Sequence, residues 1–345
     1  MNLNKLLRNN LRDFKAYSSA RDDYPGRDGV FLDANENSIG SVSADSYNRY
    51  PDPYQNELKR RIAAIKKVMP EQLFLGNGSD EPIDLLYRAF CEPKQDYVIL
   101  MPPTYGMYAV SAQINAVPIR DVPLTTDFQI DYENLKNNYA SVKLIFICSP
   151  NNPSANLMDS IIVEKILKEF EGLVIIDEAY QDFSGVEGWL PRLNEFENLV
   201  ILQTFSKAWG MAALRLGMAF AHPYVIGVLS KIKYPYNINE LTQKTVLKAL
   251  ENTSKKDVML REIIAGRKYL MGHLTQIPNV QKVFPSDANF ILVKFNDPQA
   301  IYKRLQEKKV IVRDRSGLVH CNGCLRFTVG TKKENEILIE ELKKI

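Results

Sequence analysis

The run TFSKAWG, from Thr204 to Gly210, places Lys207 at the end of an apolar stretch, just after two hydroxyl residues and eight positions before Arg215. Taken alone, such a lysine is more often a surface residue just past a strand than a buried one. The position predicts a side chain that is buried or nearly so, and buried lysines are rare unless paired or reacted. Thr204 and Ser206 add hydroxyls and Arg215 adds a guanidinium, a set suited to a dianionic phosphate. A free amine beside a bound phosphate points to Schiff-base chemistry with a phosphorylated aldehyde, pyridoxal phosphate.

That cofactor makes further demands. Its pyridinium nitrogen needs a buried carboxylate, and IIDEAY offers Asp177 where an apolar run ends. Its phenolate oxygen needs donors, for which Tyr180 and Asn152 (in SPNNPSA) are suitable. The phosphate also wants the unpaired N–H groups of a helix N-terminus. GNGSDEP supplies such a turn, with Ser79 and Asp80 just ahead of Pro82, and PPTYGMY offers Tyr105 as a flat face for the ring. The same glycine run begins like a dinucleotide fingerprint, but Glu81 replaces its third glycine and no first strand–helix unit precedes it. Ser206 and Lys207 lack the glycines of a P-loop, and no GxSxG accompanies the three histidines.

These groups must be carried by elements that the patterning makes visible. Leu58, Ile62, Ile65 and Met69 recur at helical spacing. LFLGNGS (73–79) reads as a strand entering a turn, and 82–91 as a helix with Pro82 in its first turn. Strand-like runs follow at 97–101, 142–148, 172–178, 199–205 and 215–221, with helical stretches such as 161–170 between several of them. Continuous apolar runs alternating with helices imply a mostly parallel sheet covered on both faces. From about 236 the texture changes to a long amphipathic stretch (239–274), broken near Asn252 and Thr253. Strands at 289–295, 310–314 and 325–329 then alternate with helices at 298–308 and 332–345, as in a smaller α+β domain. The expected division is an arm over 1–40, a large α/β domain over 41–237 and a small C-terminal domain over 238–345.

The chain has 345 residues, about two domains' worth, and 44 basic against 41 acidic side chains leave a net charge of +3. That balance excludes nucleic-acid binding by bulk charge. The N-terminal segment carries charges through its apolar positions, and no run approaches the ~20 apolar residues of a membrane span. A cytoplasmic protein without membrane partners is expected. The four cysteines make no disulfide framework. Cys321 and Cys324 form a CxxC, but it precedes a strand and encloses Asn322-Gly323, so a turn with two free thiols is preferred to a zinc or redox site.

The order GNGSDE, PPTYGMY, NNPSA, DEAY, TFSKAWG, RLG and CLRFTVG resembles the fold-type-I pyridoxal-phosphate aminotransferases. NRYPDPY (48–54), LDANEN (32–37), YSSAR (17–21) and PSDANFILVKF (285–295) narrow the resemblance to the histidinol-phosphate aminotransferases, nearly end to end. It implies that Lys207 forms the Schiff base, that Asp177 pairs with the pyridinium, and that Asn152 and Tyr180 bind the phenolate oxygen. Ser79, Asp80, Thr204, Ser206 and Arg215 would hold the phosphate, with Tyr105 stacked on the ring. Tyr50 would reach the cofactor phosphate of a neighbouring subunit, making a homodimer. Arg326 would bind the anionic end of the substrate, joined by Arg313, with Tyr17 and Asn35 lining the same pocket. The implied reaction is transamination between histidinol phosphate and 2-oxoglutarate. An aromatic amino acid aminotransferase, a threonine-phosphate decarboxylase and a non-catalytic binding module share the scaffold. Where the family commonly has Asn-Pro-Thr-Gly, this chain has Asn152, Pro153, Ser154 and Ala155. Serine keeps the hydroxyl, whereas alanine suits the fourth position only if it needs no positive φ; a small loop adjustment is expected.

Overall fold

The computed structural model describes residues 2–17, 29–43 and 45–344. Ser18 to Arg21 of the YSSAR motif lie outside them. Seven strands form the larger sheet: β1 (Leu73–Asn77), β2 (Tyr97–Leu100), β3 (Ile119–Asp121), β4 (Val142–Cys148), β5 (Leu173–Asp177), β6 (Leu199–Thr204) and β7 (Leu216–Ala221), in the order β1-β7-β6-β5-β4-β2-β3. Pairings from β3 through β6 are parallel, whereas β7 runs antiparallel to both β6 and β1. β4, β5 and β6 are buried nearly throughout, as strands covered on both faces must be. Helices α1 (Asn56–Lys66), α2 (Asp80–Phe90), α3 (Met107–Ile114), α4 (Tyr132–Lys136), α5 (Ser160–Glu169) and α6 (Pro223–Ile232) flank the sheet. Apolar residues alternate along each strand between two clusters. In β4, Ile145 and Ile147 join one, and Leu144 and Phe146 the other.

The long amphipathic stretch divides where Asn252 and Thr253 predict, into α7 (Glu240–Ala249), a short 3-10 turn and α8 (Thr253–Leu274). A second, wholly antiparallel sheet follows: β8 (Val280–Val283), β9 (Phe290–Phe295), β10 (Arg313–Asp314) and β11 (Cys324–Thr328), in the order β10-β11-β9-β8. With α9 (Pro298–Glu307) and α10 (Lys332–Leu342) it encloses its own core around Leu270, Ile291, Phe295, Leu325 and Phe327. Only Arg313 and Asp314 of the expected 310–314 strand enter the ladder. The three-residue β3 and helix α3 have no clear periodicity in the sequence.

The two units meet at the loop after β4. Asp287, just before β9, donates its N–H to the Ala155 carbonyl (2.8 Å), and its carboxylate accepts from Leu157 N (3.1 Å). Tyr180, Phe183, Ala155, Ala288 and Phe290 form a small apolar cluster across this junction. Among the described residues no helix is long and apolar enough to cross a membrane.

Candidate active site

The site lies beyond the C-terminal ends of the parallel strands, where an open α/β sheet leaves a crevice. Asp177 is the last residue of β5, and Tyr180 follows on the turn it begins. Thr204 ends β6, and Ser206 and Lys207 lie on the loop that leads to β7. Asn152 is on the loop after β4, and Ser79 and Asp80 open α2 directly after β1. One cleft is lined by Ser79, Asp80, Tyr105, Asp177, Tyr180, Thr204, Ser206, Lys207 and Arg215, together with Cys148 and Ala179.

Asp177 is 3% exposed, and both its oxygens are engaged. Tyr108 Oη donates to Oδ2 at 2.6 Å and Ala179 N to Oδ1 at 3.0 Å. Burial raises its pKa, and these two donors and the charge of Lys207 act in the opposite sense. A carboxylate in this setting gains most from a cationic partner, which a protonated pyridine nitrogen provides. Tyr108, wholly buried, carries no motif signal of its own, although it stands three residues after Tyr105 in PPTYGMY. Its edge-on contact with Tyr105 (centroids 5.4 Å apart) and stacking on Phe146 (4.7 Å) fix the hydroxyl toward Asp177.

Lys207 is exposed to the cleft, not buried as the apolar run before it suggests, because β6 ends at Thr204. Its amine stands 5.5 Å from the Tyr180 ring centroid. Desolvation lowers its pKa, the charges of Arg326 and Arg215 push it further down, and Asp177 opposes them. The tyrosine hydroxyl is itself pushed up, chiefly by burial.

At the other end of the cleft, Arg215 is held in the left-handed region (φ 51°), with its carbonyl accepting from Gly78 N at 2.7 Å. Its guanidinium donates to Asp80 Oδ2 at 3.2 Å and lies 3.5 Å from Ser206 Oγ. Asp80 Oδ1 accepts from Tyr105 Oη at 3.1 Å. Gly78 has φ +69°, and a Cβ there would meet Arg215 Nη2 at 2.5 Å, so only glycine lets the arginine face the first turn of α2. Ser79 caps α2 without giving its side chain to the helix. The Thr204 hydroxyl is bound within the fold, donating to Leu216 O (3.3 Å) and accepting from Ser206 N (3.1 Å).

Asn152 is 6% exposed, and its Oδ1 accepts from Arg326 Nη1 at 2.5 Å. With the carbonyl oxygen so committed, the amide presents its N–H groups to a third party. Arg326, on β11, also covers the Phe290 ring at 5.0 Å. Arg313 is its direct neighbour across the β10–β11 ladder. The amine, the buried carboxylate, the amide and phenol, and the arginine at a helix N-terminus fit pyridoxal phosphate group by group.

Three expected residues lie elsewhere in this chain. Tyr50 and Asn35 line a separate cavity with Tyr236 and Asn239, where Tyr50 stacks on Tyr236 (4.5 Å). Tyr17 is 73% exposed and lines a further depression beside Tyr54. Ala155 has φ +68° and is fully buried, so the position does demand the left-handed backbone. The Ser154 hydroxyl accepts from Asn151 Nδ2 at 2.7 Å. Cys321 and Cys324 are buried free thiols flanking a turn in which Cys324 N donates to Cys321 O (2.9 Å) and Gly323 has φ 77°.

A parallel sheet with an antiparallel seventh strand, a lysine on the loop before that strand and a carboxylate at the end of the central strand define a class I or II aminotransferase, the family whose model matches residues 23–342. A relative from Cytophaga hutchinsonii, a histidinol-phosphate aminotransferase, is 52% identical over 342 residues, 99% of this chain and 98% of that protein. Two solved structures of proteins with the same name superpose well. That from Clostridium acetobutylicum has a TM-score of 0.80 at 24% identity, covering 86% of this chain and 90% of the other. That from Sinorhizobium meliloti, in complex with pyridoxal-5'-phosphate, has a TM-score of 0.80 at 21% identity, covering 90% and 89%. The chain belongs to the histidinol-phosphate aminotransferase family of pyridoxal-phosphate enzymes.

Proposed function

We propose that the protein transfers the amino group of L-histidinol phosphate to 2-oxoglutarate, giving imidazole-acetol phosphate and L-glutamate, a step of histidine biosynthesis. The observation that carries the substrate is identity of 52% across 99% of the chain to a histidinol-phosphate aminotransferase. Pyridoxal phosphate, when bound, supplies an aldehyde carbon for amines to join and a ring that accepts the electron pair released at the substrate Cα.

The residues divide the remaining work. Asp177 would pair with the ring nitrogen and keep its proton in place. Asn152 and Tyr180 would donate to the phenolate oxygen, and Tyr105 would cover the ring. Ser79, Ser206, Arg215 and the first turn of α2 hold the phosphate, Asp80 orients Arg215, and Thr204 shapes the loop that carries Ser206. Lys207 Nζ would form the covalent attachment to the cofactor and, as a free amine, would take the Cα proton of the substrate and hold it for return. Its lowered pKa keeps more of the neutral base at physiological pH. Arg326 and Arg313 bind the anionic end of each substrate in turn, phosphate or carboxylate, so kinetics are ping-pong.

The proposal includes a homodimer in which Tyr50 reaches the partner's cofactor phosphate, with Tyr17 and Asn35 completing the substrate pocket, and a cytoplasmic location. It also divides the chain at 1–40, 41–237 and 238–345. The test is a donor panel of histidinol phosphate, phenylalanine, tyrosine and aspartate with 2-oxoglutarate. Histidinol phosphate should give the highest kcat/KM. Better turnover of phenylalanine, or release of carbon dioxide without need of 2-oxoglutarate, would overturn the reading.

A further inference from the structure

The motifs stop at Arg313, but a third arginine stands two residues later. Arg315 N donates to Cys324 O at 2.9 Å, continuing the β10–β11 ladder beyond Asp314. Side chains alternate along a strand, so Arg313 and Arg315 share a face. Arg326 stands opposite Arg313 and diagonal to Arg315, a separation of about 7–8 Å that long side chains span. Leu325 and Phe327, from the other face, fill the core of the small domain. The arginine face is thereby turned to the junction, where Arg326 meets Asn152.

Like charges at neighbouring cross-strand positions repel. Among the described residues no carboxylate forms an ion pair with any of the three, and the Nε atoms of Arg315 and Arg326 are buried without a hydrogen-bond partner. Burial first, then the charges of Arg326 and Arg313, lowers the pKa of Arg315, and its charge acts in turn on the Tyr180 hydroxyl. Three clustered guanidiniums, two of them with buried unused donors, favour an anion between them. A carboxylate, with one charge, is matched by one bidentate arginine. A phosphate monoester carries about −1.5 to −2 charges at pH 7 and three acceptor oxygens, and calls for more.

We propose that Arg315 binds the substrate phosphate and sets the preference of the site for a phosphate monoester over the carboxylate of glutamate. This rests on the function proposed above. The test is Arg315→Gln in the holoenzyme, with the two half-reactions followed separately through the cofactor's absorbance. The ratio of kcat/KM for histidinol phosphate to that for glutamate should fall at least about tenfold, carried by KM, and Arg315→Lys should recover part of the loss. Inorganic phosphate should also inhibit the glutamate half-reaction of Arg315→Gln more weakly by a similar factor. An unchanged ratio with unchanged phosphate inhibition, or an equal loss for both donors, overturns the proposal. If the wild-type enzyme does not use histidinol phosphate but phosphate inhibition still depends on Arg315, the substrate reading fails and the phosphate site stands.

Discussion

Lys207 owes its chemistry to where β6 stops. At position 207, three residues past the end of the strand, it stands in the cleft, where desolvation and then the charges of Arg326 and Arg215 disfavour its charge. On the proposed mechanism, replacing it by alanine removes both the covalent attachment and the base. Turnover of Lys207→Ala should fall at least about a thousandfold, and the visible band of the lysine-bound cofactor should vanish. Near-wild-type transamination by that variant would remove Lys207 from the mechanism. Ala155 shows how a residue at a glycine-type position can persist. Its left-handed backbone costs about 1–2 kcal/mol for a residue with a Cβ. Its buried methyl contributes about 0.8 kcal/mol, and it avoids a glycine's extra unfolded-state entropy, about 0.5–1 kcal/mol. The terms nearly cancel, so Ala155→Gly should change the unfolding free energy by less than about 1 kcal/mol in denaturant titrations. A larger gain would mean that the loop is more strained than its packing offsets.

At the scale of elements, the site depends on how the strand ends are tied to their neighbouring loops. Gly217 on β7 would place a Cβ 2.2 Å from Gly78 C and Ser79 N, so the close approach of these two segments requires glycine there. Behind the sheet, Glu164 on α5 joins Arg192 (2.8 Å) and Lys168 (2.5 Å), and Arg192 also holds Glu195 (2.6 Å). Hydrogen bonds from Arg192, then Lys168, pull the Glu164 pKa down to about 2. A carboxylate with a folded-state pKa below its unfolded value of about 4.3 stabilises above that value and loses the effect as pH falls toward the folded pKa. Glu164→Gln should therefore unfold at lower denaturant than wild type at pH 7, modestly because the group is partly solvated. The gap should narrow as pH falls from about 4.5 toward 3, and a gap that widens would contradict the pairing.

For the whole molecule, the separation of Tyr50 from the cleft in its own chain agrees with a site completed across a dimer. Tyr50 is 51% exposed and stacks on Tyr236, lining a cavity distinct from that around Lys207. If it serves the partner's site, Lys207→Ala and Tyr50→Ala proteins, each impaired alone, should complement when their subunits are exchanged. Half of the dimers formed at random are mixed, and one of their two sites is intact, so activity should return to roughly a quarter of wild type. Failure to complement despite verified subunit exchange would place Tyr50 outside the partner's site.

Much of this was legible in the chain. Continuous apolar runs marked β4, β5 and β6, and residue types at their ends marked Asp177, Asn152 and Lys207, because a doubly covered parallel sheet leaves those signatures in local sequence. Tyr108 and Arg315 were not marked. Neither has a local pattern of its own: Tyr108 matters because α3 packs it under Asp177, and Arg315 because a two-residue ladder sets it diagonal to Arg326. The backbone of Ala155 was likewise hidden, since a positive φ comes from the contacts of its loop with Asp287 and not from its residue type. Sequence by itself determined the cofactor chemistry and the parallel core, which rest on residue identity and short-range periodicity. Only the tertiary structure decided which arginines stand together at the junction and how Arg326 meets Asn152, because the Arg326–Asn152 contact joins segments more than a hundred residues apart.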